Sequence, residues 1–374
     1  MKIGTVKEIK THEYRVGLTP ACVGAYVAKG HTVLVEKDAG LDTGFSDDQY
    51  KDAGAKIVSD KKQIFDDAEM IVKVKEPLPE EFGLFHEDQI LYTYLHLAAS
   101  KEVTDMLIDK KVKAVGYETI ETDSGSLPCL KPMSEIAGRL SVQEGAKYLE
   151  KTFGGRGVLL GGVPGVSRGK VAIIGGGVVG TNACKIAVGI GADVTVLDIN
   201  ADRLAYLDDI FGTHITTLYS TQANIEKVLE ESDVVIGGVL LPGAKAPQLI
   251  RREHLRIMKE GSVIVDVAVD QGGCVETTRP TTHDDPVFVI DGVVHYCVAN
   301  MPGAVALSST QALTSTTLPY GLLIADNGLE GACRLSAPLL KGVNTYKGQC
   351  VYSGVASAFN MEWTPFLEIL NGEA

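Results

Sequence analysis

Three residues near the start of the chain have types and positions suited to a small anionic substrate. Arg15 sits in the loop that KIGTVKE (2–8) feeds, and a guanidinium there can clamp a carboxylate with two parallel N–H···O bonds. Lys75 ends the apolar run MIVKV and precedes Glu-Pro, so its ammonium can meet a carbonyl or carboxylate oxygen. His96 closes ILYTYLH, and imidazole is the side chain whose ordinary titration lies nearest neutrality, which suits it to moving a proton. Each of the three follows a strand-like segment, and an open parallel sheet collects ligands beyond the carboxyl ends of its strands.

A second constellation lies further on. VAIIGGGVVG places Gly175, Gly177 and Gly180 directly after a strand and at the start of a helix. In that spacing the first glycine permits a tight turn and the second lets backbone approach a pyrophosphate. The third lets helix and strand pack closely. The pyrophosphate would sit at the positive end of the helix dipole, against unpaired N–H groups. Asp198 closes the next strand, VTVLD, where a carboxylate accepts the adenosine ribose hydroxyls. Two unit charges ~4 Å apart at an effective dielectric of ~20 interact by roughly 4 kcal/mol, so Asp198 would repel a 2′-phosphate and favour NAD over NADP. Arg203, in the following helix, could offset part of that repulsion. The earlier glycine-rich stretch GGRGVLLGGVPGV runs into a strand, not a helix, and GxxxxGK[ST] is absent, which argues against a nucleoside triphosphatase. One carboxylate clamp, one group to polarise a carbonyl or imine, one acid/base and a hydride acceptor are together what a dehydrogenase of amino acids needs.

The elements that must position these residues alternate along the chain. Strand-like segments are expected at 2–8, 31–37, 55–58, 69–77, 90–96 and 113–120, with a helix opened by Thr19 and Pro20 and a helix over KEVTDMLIDKK. Residues 121–132 read as a break, and Ser134 as the N-cap of a long helix to about Lys151. A second series follows, with strands at 170–174, 192–198, 232–240, 262–270 and 288–300. The tail, 305–374, reads as helices broken by Gly and Pro. Short apolar strands alternating with helices imply an α/β protein with mostly parallel sheets covered on both faces.

Composition sets the outer bounds. The chain of 374 residues, with 45% apolar and 22% charged, is long enough for two domains, at roughly 100–200 residues each, to bury cores without staples. A net charge of −13 argues against nucleic acid and anionic membranes as partners. The seven cysteines are scattered without a CxxC pair, the pattern of reduced thiols in a cytoplasmic protein and not of a zinc site, so no metal is expected. MKIGTVKEIK lacks the apolar run of a signal peptide, and no segment has the length and apolarity of a membrane span.

Several motifs, collinear from residue 1 to about 370, resemble the alanine dehydrogenase family: KEIKTHEYRVGLTP, VKVKEP, YLHLAAS, KPMSEIAGRLS, GGRGVLLGGVPGV, VAIIGGGVVGTNA, VDVAVDQGG and ANMPGAV. The resemblance implies reversible, NAD-dependent deamination of L-alanine to pyruvate and ammonia. Arg15 and Lys75 would hold the substrate, and His96 and Asp270 would be catalytic. Ser134, Gly175, Gly177, Val178, Val179, Gly180, Asp198, Arg203, Ser220, Val239, Leu240, Val267, Asp270, Asn300 and Met301 would touch the cofactor. It implies a homohexamer, and two Rossmann-like doubly wound domains with a cleft between them. The substrate domain would be built from both chain ends, 1–128 and 305–374, around an NAD domain at 129–304. After ANMPGAV the family usually continues with proline and arginine, where this chain has Ala306 and Leu307. Two other readings compete. The NAD-binding subunit of a proton-translocating transhydrogenase would need a membrane partner and a shifted motif near VAVDQGG. A non-catalytic NAD-binding protein would be expected to lack at least one of Arg15, Lys75, His96 and Asp270, all of which are present.

Overall fold

The computed structural model describes residues 1–239 and 246–372. Two compact units form: residues 1–133 with 305–374, and residues 134–304. The family resemblance implied a first boundary at 128/129, slightly ahead of this one.

In the first unit the strands are β1 (Lys2–Thr5), β2 (Thr32–Glu36), β3 (Lys56–Val58), β4 (Met70–Val72), β5 (Ile90–Thr93) and β6 (Lys113–Gly116). In the second they are β7 (Lys170–Ile174), β8 (Asp193–Asp198), β9 (Ile215–Tyr219), β10 (Val234–Gly237), β11 (Val263–Asp266), β12 (Val287–Ile290) and β13 (Val293–Tyr296). The chain then returns to the first unit for β14 (Val343–Tyr346) and β15 (Gln349–Cys350). Among the described residues the first sheet runs β15-β14-β6-β5-β4-β1-β2-β3 and the second β12-β13-β11-β10-β7-β8-β9. Strands β1 to β6 pair in parallel, as do β7 to β11 with β13. Each sheet therefore has the doubly wound order, reversing between β1 and β4 in one and between β7 and β10 in the other. Those reversals are where loops diverge and leave a crevice for ligand.

The strands are shorter than their apolar runs. β1 stops at Thr5 and β4 at Val72 although the pattern continues to Glu8 and Lys75. Side chains take the donors that longer ladders would use: Glu8 Oε1 accepts the backbone N–H of Val74 at 2.6 Å and of Lys75 at 3.2 Å beyond β4, and Glu36 Oε2 accepts that of Lys7 at 2.7 Å beyond β1. Buried Lys73 holds Glu8 from the other side, with Nζ 3.1 Å from Glu8 Oε2 and 3.1 Å from Glu81 Oε1.

Four expectations need correction. The long helix spans Lys131–Tyr148, so Ser134 lies inside its first turn and is not its cap. The chain is already turning at Leu127, whose carbonyl accepts from Leu130 and Lys131, and Pro132 sits where a missing N–H costs nothing. Residues 288–300 are not one strand: β12 and β13 pair antiparallel around Asp291-Gly292, both at positive φ (50° and 81°), the geometry of a tight hairpin turn. Strand β9 escaped the sequence reading altogether. The tail is not wholly helical, since β14 pairs antiparallel with β6 and continues the first sheet. The helical segment Ala306–Leu335, interrupted at Gly328 (φ 69°, ψ 167°), begins on Ala306 and Leu307, so the two residues that depart from the resemblance occupy its first turn.

The seven thiols are free and buried. Among the described residues no helix is long and apolar enough to cross a membrane.

Candidate active site

The three substrate candidates follow the carboxyl ends of β1, β4 and β5, on both sides of the first sheet's reversal. Arg15 is buried, and its Nε and Nη2 make a paired contact with Glu13 at 2.6 and 2.5 Å. The Glu13 hydrogen bonds hold its guanidinium charged in spite of burial. The edge on which a clamp was read from the sequence is thus engaged by Glu13. Its Nη1 meets the Met133 sulfur at 3.1 Å, and a thioether is a weak acceptor that a carboxylate readily displaces.

Lys75 is placed differently from Lys73, two residues before it. Its backbone is pinned at both ends, the amide by Glu8 and the carbonyl by the Thr93 hydroxyl at 3.0 Å. Among the described residues its ammonium makes no hydrogen bond and no ion pair. Burial, then the neighbouring Arg15, lowers its pKa from the ordinary 10.5, with Glu76 pulling the other way. Two cationic groups so close favour an anion between them.

His96 stands in the left-handed region, φ 49° and ψ 34°, which a residue with a side chain rarely adopts. Glu118 holds it there: one carboxylate accepts the amides of Leu95 (3.0 Å) and His96 (2.6 Å) in succession. The imidazole is about half exposed, and its Nδ1 lies 3.6 Å from Glu76 Oε2. The other oxygen of Glu76 pairs with Lys10. Burial opposes ionisation of Glu76, yet His96 and Lys10, with Lys75 behind them, hold its carboxyl far below the usual range. The result is a patch of Arg15, Lys75 and His96 framed by four carboxylates, Glu8, Glu13, Glu76 and Glu118. None of the four was singled out from the sequence. A buried lysine requires an acid partner, and the Lys-Glu pairs at 7–8 and 75–76 were the one available signal for two of them.

In the second unit the glycine turn follows β7. Gly175 has φ 99°, a value only glycine takes freely, and Gly177 caps the helix Val178–Ile190. A methyl group built on Gly180 would run into the Gly175 carbonyl oxygen, whereas one on Gly177 would meet no atom within 4 Å. The turn is therefore closed against itself at Gly180 and open at Gly177, as a phosphate cradle requires. Val178 and Val179 form the first turn of that helix. Asp198 ends β8 with Oδ2 accepting the Gly176 amide at 2.6 Å. Arg203 donates from Nε to the Gly176 carbonyl at 2.5 Å, bonds the Thr181 hydroxyl and lies over the Tyr206 ring, 4.6 Å from its centre. The remaining candidates also follow strand ends: Ser220 after β9, its amide on the Asp198 carbonyl; Val239 after β10; Val267 and Asp270 after β11; Asn300 and Met301 after β13. The amide of Asn300, itself left-handed at φ 63°, lies 3.5 Å from Asp270 Oδ2. Ser134 opens this unit, and Leu240 lies outside the described residues.

Comparison with known proteins decides the family. The model of the alanine dehydrogenase/PNT N-terminal domain matches residues 4–137, and that of the C-terminal domain residues 141–353. The chain belongs to the alanine dehydrogenase family. It is 56% identical over 372 residues to an alanine dehydrogenase of Methanococcus maripaludis, covering 99% of this chain and 100% of the relative. With one from Geobacillus stearothermophilus it shares 56% over 376 residues, covering all of both chains. A solved L-alanine dehydrogenase superposes with a TM-score of 0.94 at 53% identity, over 96% of this chain and 99% of the other. A transhydrogenase from Sinorhizobium meliloti shares the fold, with a TM-score of 0.81 at 22% identity over 94% and 99% of the two chains. The alanine dehydrogenase likeness is thus far the nearer of the two readings set out from the sequence.

Proposed function

We propose that the protein catalyses the reversible, NAD-dependent oxidative deamination of L-alanine to pyruvate and ammonia. The observation that carries this reading is the Lys75 ammonium, partly buried beside Arg15 and, among the described residues, with no ion pair of its own, at the reversal of one sheet in a chain whose other sheet carries an open glycine cradle. Bound NAD would supply a hydride acceptor for the substrate Cα. The cradle around Gly175, Gly177, Val178, Val179 and Gly180 fits its pyrophosphate, and Asp198 its ribose. Ser134, Arg203, Ser220, Val239, Leu240, Val267, Asp270, Asn300 and Met301 are assigned to the same cofactor through the family.

Arg15 and Lys75 bind the substrate carboxylate and carbonyl oxygen, and their charge stabilises the oxygen as it gains electron density. Loss of hydride leaves iminopyruvate. Water adds to the imine carbon, and His96 or Asp270 takes its proton; the carbinolamine then collapses to pyruvate and ammonia. The proposal extends to a cytoplasmic location and a homohexamer, as the family resemblance implies.

The test is NADH oxidation with ammonium and a panel of 2-oxo acids, repeated with NADPH. Pyruvate with NADH should be the preferred pair, and His96→Ala and Asp270→Asn should each lower kcat by about 10²-fold or more while NADH still binds. Turnover on no 2-oxo acid, or near-normal turnover in both variants, overturns the reading.

A further inference from the structure

The carboxylate of Glu76 has two oxygens in different situations. Oε1 is paired with Lys10. Oε2 is buried and, among the described residues, has no hydrogen-bond partner. A buried acceptor without a donor is costly, and His96 Nδ1 lies 3.6 Å away, just beyond hydrogen-bonding range. The backbone of His96 cannot drift from this position, because Glu118 clamps two successive amides of a left-handed turn.

We infer that Glu76 is the positioning residue for His96: its Oε2 accepts the Nδ1 proton, which fixes the tautomer and turns a bare Nε2 toward the substrate. The arrangement is the nucleophile-and-base logic in which a third group orients the base, here with Lys10 as the counter-charge that keeps Glu76 an acceptor. The inference rests on His96 being the acid/base of the proposed reaction. Glu76 touches no reacting atom in this scheme. It stabilises the imidazolium formed when His96 takes a proton from water, and it excludes the tautomer with the proton on Nε2.

The charged groups around His96 are few enough to work out the sign. Glu76 and Lys75 come from the loop after β4, Lys10 from the loop after β1, and Glu118 from the turn after β6. Glu102 shares the pocket beside the imidazole, and the Tyr94 ring lies 6.0 Å off. Of these, Glu76 is the carboxylate beside Nδ1. Glu76→Gln removes that charge, so the acid limb of kcat/KM for alanine should move to lower pH. Lys10→Gln removes the opposing charge and should move the same limb upward by less.

The experiment measures pH profiles of the full-length protein, its Glu76→Gln and Lys10→Gln variants, and 15N imidazole spectra of His96, assigned by its loss in His96→Ala. A proton on Nδ1 in the parent, lost or mixed in Glu76→Gln, with limb shifts of opposite sign in the two variants, supports the inference. An Nε2 proton in the parent, or acid limbs unmoved in both variants, overturns it. Should Glu76→Gln fail to fold, the parent spectrum and the Lys10→Gln profile still decide. Full activity in His96→Ala would instead remove the proposed function on which the inference stands.

Discussion

Alanine at Gly177 and alanine at Gly180 differ by one methyl each at neighbouring places in one turn, yet the structure gives them different consequences. Gly177 caps its helix at φ −64° and ψ −156°, which alanine tolerates, and the added methyl points into open space. Alanine is a poorer cap than glycine but a stiffer unfolded chain, so stability should stay within about 1 kcal/mol of the parent. Binding should not survive so well. The methyl occupies the place where the backbone must approach a pyrophosphate, and losing one charge-assisted hydrogen bond costs roughly 1.5–3 kcal/mol, or about 10- to 150-fold in the NADH Kd. Gly180→Ala instead collides with the Gly175 carbonyl oxygen, a backbone atom that cannot step aside, so overpacking should cost about 1–3 kcal/mol of stability or more. Urea unfolding and NADH fluorescence titration of both variants separate the effects. Gly177→Ala with the parent's NADH affinity would refute the placement of the pyrophosphate.

Further outcomes follow from the same geometry. Lys75→Met should raise KM for pyruvate at least tenfold, by loss of one charge-assisted contact worth about 1.5–3 kcal/mol, with NADH affinity unchanged. Because Lys75 loses its proton below the ordinary 10.5, KM for pyruvate should climb with rising pH earlier than an exposed lysine would allow, a limb that steady-state kinetics at alkaline pH would reveal and that Lys75→Met should lack. Asp198→Ala should relax the preference for NADH over NADPH by about tenfold, a third of the roughly 4 kcal/mol charge repulsion; an unchanged ratio of kcat/KM values would show that the 2′-hydroxyl lies elsewhere. His295 is buried between the Thr277 hydroxyl and the Val293 carbonyl, and burial lowers its pKa from 6.5. As pH falls through 6.5 the unfolded chain takes up a proton that the folded imidazole refuses, so stability drops toward acid. Urea midpoints at about pH 7 and about pH 5.5 should differ less in His295→Gln than in the parent.

The glycine turn was legible in the sequence because its three demands, turn, approach and close packing, fall on three fixed positions of one short segment. The parallel β-helix-β alternation was equally local. What escaped was set elsewhere. Asp291-Gly292 carried a hairpin signal, but it sat inside one continuous apolar run and was absorbed into a single strand. β14 belongs to a tail of helical composition, and only β6, more than two hundred residues earlier, makes it a strand. The end of β4 was overrun because its limit comes from Glu8, a side chain on another loop, and not from the residues of β4. The same holds at the site. Arg15, Lys75 and His96 stood out as candidates by type and by position after strands. Their carboxylate frame did not, since Glu118 acts on backbone amides twenty-odd residues away and Glu76 on a side chain from the next strand. Alternation reports burial, and it is silent on which buried groups must pair.

The most direct test of the account follows one atom. L-Alanine carrying deuterium at C2 is incubated with the protein and NAD, and the reduced nicotinamide is analysed by mass spectrometry. The account predicts NADH that carries the deuterium in step with pyruvate formation. NADH formed without the label, or pyruvate formed with no reduced nicotinamide, would contradict it.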